Sequence, residues 1–183
     1  MERHRTRRIA FITLFFLLIM AFPIPLIVFN LRNRNPELYS IRIEGNVSEV
    51  LTYTYEDIVD GLFGVVEKQE FVYLNQPPYN TRYNVIYTGV SVWSLLTHKS
   101  VINSNATEIF FRSYDAYYTD TLLLEKVENN PTLVIIAFKK DNKPLKYNSD
   151  DGGPLRAIVN LSVTEPDYCS KYWAKYVNTI VVV

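Results

Sequence analysis

The sequence predicts an α+β domain built on a mixed β-sheet that curls toward a barrel, with short helices and one N-terminal transmembrane helix. Strand-like and helix-like segments are both short, and they mix without the repeating strand–helix–strand order of a parallel α/β fold. Aromatic residues are abundant, with 14 Tyr and 10 Phe, which is typical of β-containing folds. The 183 residues are enough for one folded domain.

The N-terminal segment has the pattern of an uncleaved membrane anchor. Residues 1–8 form a basic leader, and residues 9–29 form an uncharged run that is long enough to span a bilayer as a helix. No small-residue cleavage site follows this run, so we expect it to remain attached. By the positive-inside rule the leader stays in the cytoplasm and the rest is extracytoplasmic, making a single-pass membrane protein. Residues 30–37 are a polar linker, and residues 38–183 are the folded domain.

Strand signals and helix signals both occur along the folded domain, in no repeating order. Helix-capping patterns predict a short helix from Thr54 to Leu62 and another over Val92–Thr97, and an amphipathic pattern predicts a third over Leu122–Val127. Alternating or continuous apolar runs predict strands at Tyr39–Ile43, Glu70–Leu74, Val85–Tyr87, Glu108–Arg112, Thr132–Phe138, Leu155–Leu161 and Tyr176–Val183.

Two connections are predicted from proline, glycine and serine. Pro77 and Pro78 indicate a loop over Asn75–Asn84. Gly89 is expected to turn the chain, because glycine adopts a positive φ without strain. Ser91 is expected to cap the helix that follows this turn.

Composition excludes several classes of function. Residues 1–30 hold four of the 19 basic and one of the 19 acidic side chains, which leaves 15 basic and 18 acidic residues after them. This small acidic surplus argues against a nucleic-acid partner, since no excess of cations is available for phosphates. Cys169 is the one cysteine, and His4 and His98 are the two histidines. These counts exclude an internal disulfide and a metal cluster built from several thiolates or imidazoles.

The stretch Gly152-Gly153-Pro154-Leu155-Arg156 contains the main candidate site. Two glycines and a proline predict a tight turn, and the apolar run after them predicts a mostly buried strand. Arg156 places a charge in that strand, so its guanidinium must pair with an acid or contact a ligand. Taken alone, the residues favour a structural ion pair with Asp150 or Asp151, and a ligand contact is the alternative.

Three blocks of sequence, in this order, carry a family resemblance. They are Tyr87-Thr88-Gly89-Val90-Ser91-Val92-Trp93-Ser94-Leu95-Leu96, Gly152-Gly153-Pro154-Leu155-Arg156 and Lys175-Tyr176-Val177. They resemble the turn into a helix, the C-terminal signature and the lysine–aromatic pair of the oxidoreductase molybdopterin-binding domain family. That family has the sulfite-oxidase-like fold, and the order and spacing of the blocks carry the resemblance.

The resemblance implies an oxidoreductase-like domain with a site for molybdopterin. In the family a cysteine thiolate binds molybdenum, and basic side chains and backbone amides hold the pterin phosphate. By this resemblance Gly152, Gly153, Arg156 and Lys175 are the candidate cofactor-binding residues. The family's cysteine lies at a strand end before the first block, where this chain has Glu70–Gln76 and no cysteine. We therefore assign no catalytic residue and expect no bound metal.

Two functions remain open on the sequence. The first is a degenerate, non-catalytic member of the family that binds a small ligand or a membrane or redox partner protein, which the missing thiolate favours. The second is an active molybdopterin-binding oxidoreductase, or electron-transfer, domain, which the three blocks favour. Cys169 is distant in sequence from the family's ligand position, and we interpret it as a packed or semi-exposed thiol.

Overall fold

Two open β-sheets and three short helices make up the part of the chain that the structure describes. The structure, a computed structural model, describes residues 35–76, 79–159 and 172–183, and for 68–84 it describes the backbone alone. The helices are α1 (Tyr55–Val59), α2 (Val92–Thr97) and α3 (Leu124–Asn129). The strands are β1 (Ser40–Gly45), β2 (Leu51–Thr54), β3 (Val66–Gln76), β4 (Tyr79–Ser91), β5 (Glu108–Ser113), β6 (Leu122–Leu123), β7 (Val134–Lys140), β8 (Lys143–Pro144), β9 (Arg156–Val159) and β10 (Val177–Val182). The predicted α+β class is confirmed.

The first sheet is mixed and has the strand order β2-β1-β10-β5-β6. The first strand and the last one, β1 and β10, pair in parallel, whereas the other neighbours are antiparallel. Along β5 every second residue is buried, so one face of the sheet contacts the core and the other is more exposed. The site described below lies at the end of β5, where Ser113 pairs with Val177 of β10.

The second sheet is antiparallel, and β7 is its central strand. One edge of β7 pairs with β4, and the other edge pairs with β8 and β9. Val134 to Phe138 are all buried, because apolar clusters cover both faces of this strand. The strands form two open sheets, whereas the sequence predicted one curled sheet. Core side chains from both sheets pack together in one shared cluster.

The loop predicted over Asn75–Asn84 is wrong, because most of it belongs to a long hairpin. Strands β3 and β4 pair residue by residue from Val66 opposite Gly89 to Gln76 opposite Tyr79. Cross-strand pairing satisfies the backbone whatever the polarity of the side chains, so tertiary context overrode the composition signal.

Gly89 lies inside β4 and does not turn the chain. The register of β4 against β7 shifts between Thr88 and Gly89. A Cβ atom at Gly89 would lie 2.3 Å from the Ile136 carbonyl oxygen and 2.7 Å from Ala137 Cα. Glycine is required here because the backbone of β7 approaches too closely for any side chain.

The helix starts follow the predicted caps. Thr54 and Asp57 form a capping box, with Thr54 Oγ1 accepting from the Asp57 amide at 3.2 Å and Asp57 Oδ2 accepting from the Thr54 amide at 2.8 Å. Helix α1 nevertheless ends before Leu62, and Ser91 caps α2 at the predicted boundary. Helix α3 begins later than predicted, because Leu122–Leu123 pairs with β5 as a short strand.

The predicted membrane anchor, residues 9–29, lies outside the described residues, as does Cys169. Across residues 35–76, 79–159 and 172–183, each helix is too short or too polar to cross a membrane. Residues Pro36–Val183 group into one compact unit.

Candidate functional site

The Gly-Gly-Pro turn delivers Arg156 to the first position of β9. Gly152 has a φ of +65°, which a residue with a side chain rarely adopts. Its carbonyl accepts from the Tyr176 amide at 2.7 Å, so the turn is tied to the segment that leads into β10. Within β9, Arg156 pairs with Ala137 of the central strand β7.

The Arg156 guanidinium lies against two neighbouring aromatic rings. Its Cζ is 5.7 Å from the centre of the Tyr87 ring and 5.3 Å from that of Trp173. One terminal nitrogen donates to the Asp151 backbone carbonyl at 3.1 Å. The predicted ion pair with Asp150 or Asp151 is therefore wrong, because the arginine donates to a backbone carbonyl and not to a carboxylate. Among the described residues, the buried Arg156 Nε has no hydrogen-bond partner.

Lys175, in the segment that leads into β10, contacts the same turn. Its ammonium donates to the Ser149 carbonyl, and its aliphatic stem packs against Gly152. A Cβ atom at Gly152 would lie 2.4 Å from Lys175 Cγ, so glycine leaves the room that this lysine occupies. Gly153 has a different role, since its Cα faces Leu145 and a Cβ there would lie 2.4 Å from the Leu145 side chain.

Arg156 and Lys175 line a common pocket of about 350 Å³. We call it the Arg156 pocket, and its other lining residues are Ser113, Asp115, Tyr117 and Trp173. Ser113 is buried, and in the described part of the chain its hydroxyl has no hydrogen-bond partner. Thr88 Oγ1 is also buried and unpaired in the described residues, but Thr88 does not line the pocket. Buried polar atoms are nearly always paired in native proteins, so the coincidence of two unpaired atoms with one pocket favours a place for ligand oxygens.

Neighbouring charges shape the electrostatics next to this pocket. Burial raises the pKa of Tyr176, and Tyr147, Asp115 and Asp150 raise it further, while Arg156 acts in the opposite direction. The Tyr176 phenol therefore stays protonated at neutral pH and keeps its hydroxyl as a donor. Its ring packs edge-on against that of Tyr147, with centroids 5.0 Å apart.

The sequence predicted part of this site. It named Arg156 and Lys175, which the fold brings to one pocket, and Gly152, which supports Lys175. Gly153 was also named, and the atoms nearest to it belong to Leu145, which does not line the pocket, so its role in binding stays a prediction. Sequence reasoning missed Ser113, Asp115, Tyr117 and Trp173. The one local signal was Ser113 itself, a hydroxyl at an inward position of β5 whose other inward residues, Ile109 and Phe111, are apolar.

A second aromatic cluster has satisfied polar groups. The Tyr53 cluster consists of Tyr53, Phe63 and His98, whose ring centroids lie 4.8 to 5.7 Å apart. The Tyr53 hydroxyl and His98 Nδ1 are hydrogen-bonded at 3.0 Å. Because the Tyr53 hydroxyl and His98 Nδ1 satisfy each other within the cluster, we interpret it as structural. No grouping of three or more His, Cys, Asp or Glu suited to a metal occurs in the described ranges.

The sequence pattern of the family described as "Oxidoreductase molybdopterin binding domain" matches residues 28–183. The chain belongs to that family. No curated protein matches the chain. Among solved structures, the sulfane dehydrogenase SoxCD from Paracoccus pantotrophus is similar, with a TM-score of 0.61 and 20% sequence identity. The match covers 79% of this chain and 38% of that chain, and at this identity it shows the sulfite-oxidase-like fold alone.

The pocket of this molybdopterin-binding domain fits one part of the family's cofactor. Arg156 Nε, Ser113 Oγ and the cationic Lys175 suit an anionic group such as a pterin phosphate. The metal itself requires a soft sulfur ligand, and the strand that precedes the first family block, Glu70–Gln76, has no cysteine. The donor set therefore fits the phosphate of the cofactor but does not supply the thiolate that would bind molybdenum.

Proposed function

We propose that this chain is a membrane-anchored, extracytoplasmic member of the family that binds an anionic ligand and catalyses no molybdenum-dependent redox reaction. The observation that carries this proposal is the pair of unpaired buried donors, Arg156 Nε and Ser113 Oγ, on residues lining one pocket. A buried donor without a partner costs about 1–3 kcal/mol of stability. A bound oxygen anion would remove that cost, which is the thermodynamic reason for a ligand here.

Each lining residue has a distinct part in binding. Arg156 and Ser113 donate hydrogen bonds to ligand oxygens, and the guanidinium is already oriented by its two aromatic neighbours and the Asp151 carbonyl. Lys175 adds positive charge while it remains bonded to Ser149. Asp115 is the acid among the lining residues, so it disfavours a second negative charge close to it. When bound with its metal, molybdopterin supplies oxo-transfer chemistry, whereas these residues supply only binding and orientation.

The membrane part of the proposal rests on the N-terminal sequence. Residues 9–29 are uncharged and long enough to cross a bilayer, and the arginines before them favour a cytoplasmic N-terminus. The family match begins at residue 28, where this run ends, so the anchor and the domain are adjacent in the chain.

An active molybdopterin-dependent oxidoreductase is the second candidate. The observation in its favour is that Arg156 and Lys175, which the family resemblance assigned to the cofactor, line the same pocket. The two candidates differ in the metal, because only the second one requires stoichiometric molybdenum.

Metal and pterin analysis of the full chain separates these candidates. The protein is produced in a host that synthesises the cofactor and is then extracted from membranes. We expect no stoichiometric molybdenum and no oxidation of sulfite or reduction of sulfoxides. Stoichiometric molybdenum would overturn the proposal in favour of the active enzyme, and recovery of the chain in the soluble fraction would overturn the anchor.

Binding of an anion is tested with inorganic phosphate by titration calorimetry. Arg156→Met keeps an apolar stem against the two aromatic rings and removes the donors, so we expect it to abolish or strongly weaken binding. Arg42→Met is the matched control, because Arg42 is a surface arginine of the first sheet that pairs with Glu44. Equal phosphate affinity in the wild type and in both variants would show that the pocket does not bind this anion.

A further inference from the structure

A short apolar loop projects two large side chains into solvent. The loop is Gly61-Leu62-Phe63-Gly64-Val65, which contains no charged residue. Leu62 is 53% exposed and Val65 is 54% exposed, the two highest exposures among the Val, Leu and Ile side chains that the structure describes. We call this segment the apolar loop.

The apolar loop is held in place by its own backbone and by its central residue. Gly61 and Gly64 have φ values of +90° and +70°, and the Gly64 amide donates to the Gly61 carbonyl at 3.3 Å. Phe63 turns inward, with its ring 4.8 Å from Tyr53 and 5.1 Å from His98. Anchoring Phe63 in this way leaves Leu62 and Val65 presented outward on a constrained turn.

The apolar loop lies toward the end of the β1–β2 hairpin at which the chain enters the domain. Tyr53, the partner of Phe63, pairs with Ile41 near the start of β1. At the same end the Tyr55 amide donates to the Tyr39 carbonyl at 2.8 Å. Val50, at the turn beyond the other end of this hairpin, is exposed to a similar extent at 47%.

The chain that enters at this end comes directly from the apolar run at residues 9–29. Residues 30–39 connect the two, and ten extended residues span at most roughly 35 Å. The entry end of the hairpin can therefore be no farther than that distance from a bilayer that holds the run. Exposed Leu and Val on a short turn suit the interfacial region of a bilayer, which accepts apolar side chains beside polar backbone.

We propose that the apolar loop inserts Leu62 and Val65 into the surface of the bilayer that anchors the chain. This inference rests on the proposed membrane anchor and adds a second, orienting contact to it. Asp60 and Glu67 flank the loop and are both exposed, so like-charge repulsion disfavours anionic headgroups. The lipid surface it fits is a zwitterionic one such as phosphatidylcholine.

Depth-dependent quenching in phosphatidylcholine nanodiscs tests the contact on the full chain. In a Cys169→Ser background, an environment-sensitive fluorophore is attached after Leu62→Cys or Val65→Cys. Val50→Cys and Leu123→Cys are matched controls, because those residues are 47% and 46% exposed outside the loop. We expect lipids that carry a quencher on the acyl chain to quench the two loop positions severalfold more strongly than the controls.

Photolabelling of the unmodified chain gives a second readout that needs no substitution. A photoactivatable phosphatidylcholine should modify residues 60–66 in addition to residues 9–29, whereas a segment around Val50 should remain unlabelled. Labelling confined to residues 9–29, or equal quenching at all four positions, would overturn the loop contact and leave the anchor intact. Failure of the chain to co-float with phosphatidylcholine vesicles would overturn both the anchor and the loop contact.

Discussion

The Tyr53 cluster and the Arg156 pocket are built from similar groups but differ in how their polar atoms are satisfied. Both combine aromatic rings with a nitrogen-bearing side chain, His98 or Arg156, whose ring centre or Cζ lies 5.1 to 5.7 Å from the ring centres. In the cluster, the Tyr53 hydroxyl and His98 Nδ1 bond to each other. In the pocket, Arg156 Nε and Ser113 Oγ have no partner among the described residues.

This difference separates a structural contact from a binding site. A polar atom that is paired internally contributes to stability and has no remaining capacity for a ligand. An unpaired buried donor lowers stability, and a ligand that accepts from it removes that cost. Substitutions in the two regions should therefore change different observables.

The largest expected effect is the loss of stability on truncation in the Tyr53 cluster. Tyr53→Ala removes a buried ring and its contacts with Phe63, so the free energy of unfolding should fall by about 3–5 kcal/mol. Tyr117→Ala is the control in the pocket, and because Tyr117 is 46% exposed its effect should stay within about 0.5 kcal/mol. Urea unfolding measures both values. Similar losses in the two variants would remove the contrast between the regions.

The next effect concerns the hydroxyls of two buried serines, of which that of Ser91 has hydrogen-bond partners and that of Ser113 has none among the described residues. Ser91 donates to the Pro131 carbonyl and caps α2, so Ser91→Ala should cost about 1 kcal/mol. Ser113 has no partner, so Ser113→Ala should be neutral or stabilise by up to about 1 kcal/mol. Phosphate affinity should fall in Ser113→Ala and remain unchanged in Ser91→Ala. A destabilising Ser113→Ala with unchanged affinity would mean that the hydroxyl has a structural role.

The smallest effect is a dependence of stability on alkaline pH. Burial, and then the negative charge of Asp57, raise the pKa of Tyr53 above its ordinary value of 10.0. A raised folded-state pKa gives stability that is complete below pH 10 and is lost as the pH rises through the folded value. Tyr53→Phe should therefore flatten the decline in unfolding free energy above pH 10.

Tyr176, which lies next to the pocket, should contribute to the same alkaline window. The pKa of Tyr176 is also raised, so the slope that remains in Tyr53→Phe should decrease further when Tyr176→Phe is added. Unfolding measured across about pH 9 to 11 tests both variants. A slope that is unchanged in the double variant would show that neither phenol is linked to folding.

Local features of the fold could be predicted because their causes are local. The Thr54–Asp57 capping box and the Ser91 cap involve residues three apart, so the sequence shows donor and acceptor together. The apolar strand β7 was recognised for a similar reason, since a strand covered on both faces is continuously apolar.

Features that depend on distant partners were missed or misassigned. The sequence indicated a special backbone role for Gly89, but it could not show that the β7 backbone lies against this residue. It also predicted a loop over Asn75–Asn84, most of which is strand because β3 pairs with β4. Arg156 was expected to meet a carboxylate, whereas the turn presents the Asp151 carbonyl.

The sequence by itself determined that a charge at Arg156 needed a partner, that Lys175 belonged with it by resemblance, and that the segment Glu70–Gln76 contains no cysteine. Tertiary structure alone decided that Ser113, from a strand of the other sheet, joins these two cations at one pocket. The physical reason is that a hydroxyl or guanidinium has the same chemistry everywhere along the chain. Whether it is satisfied by the protein or remains for a ligand depends on which distant atoms the fold brings within hydrogen-bonding distance.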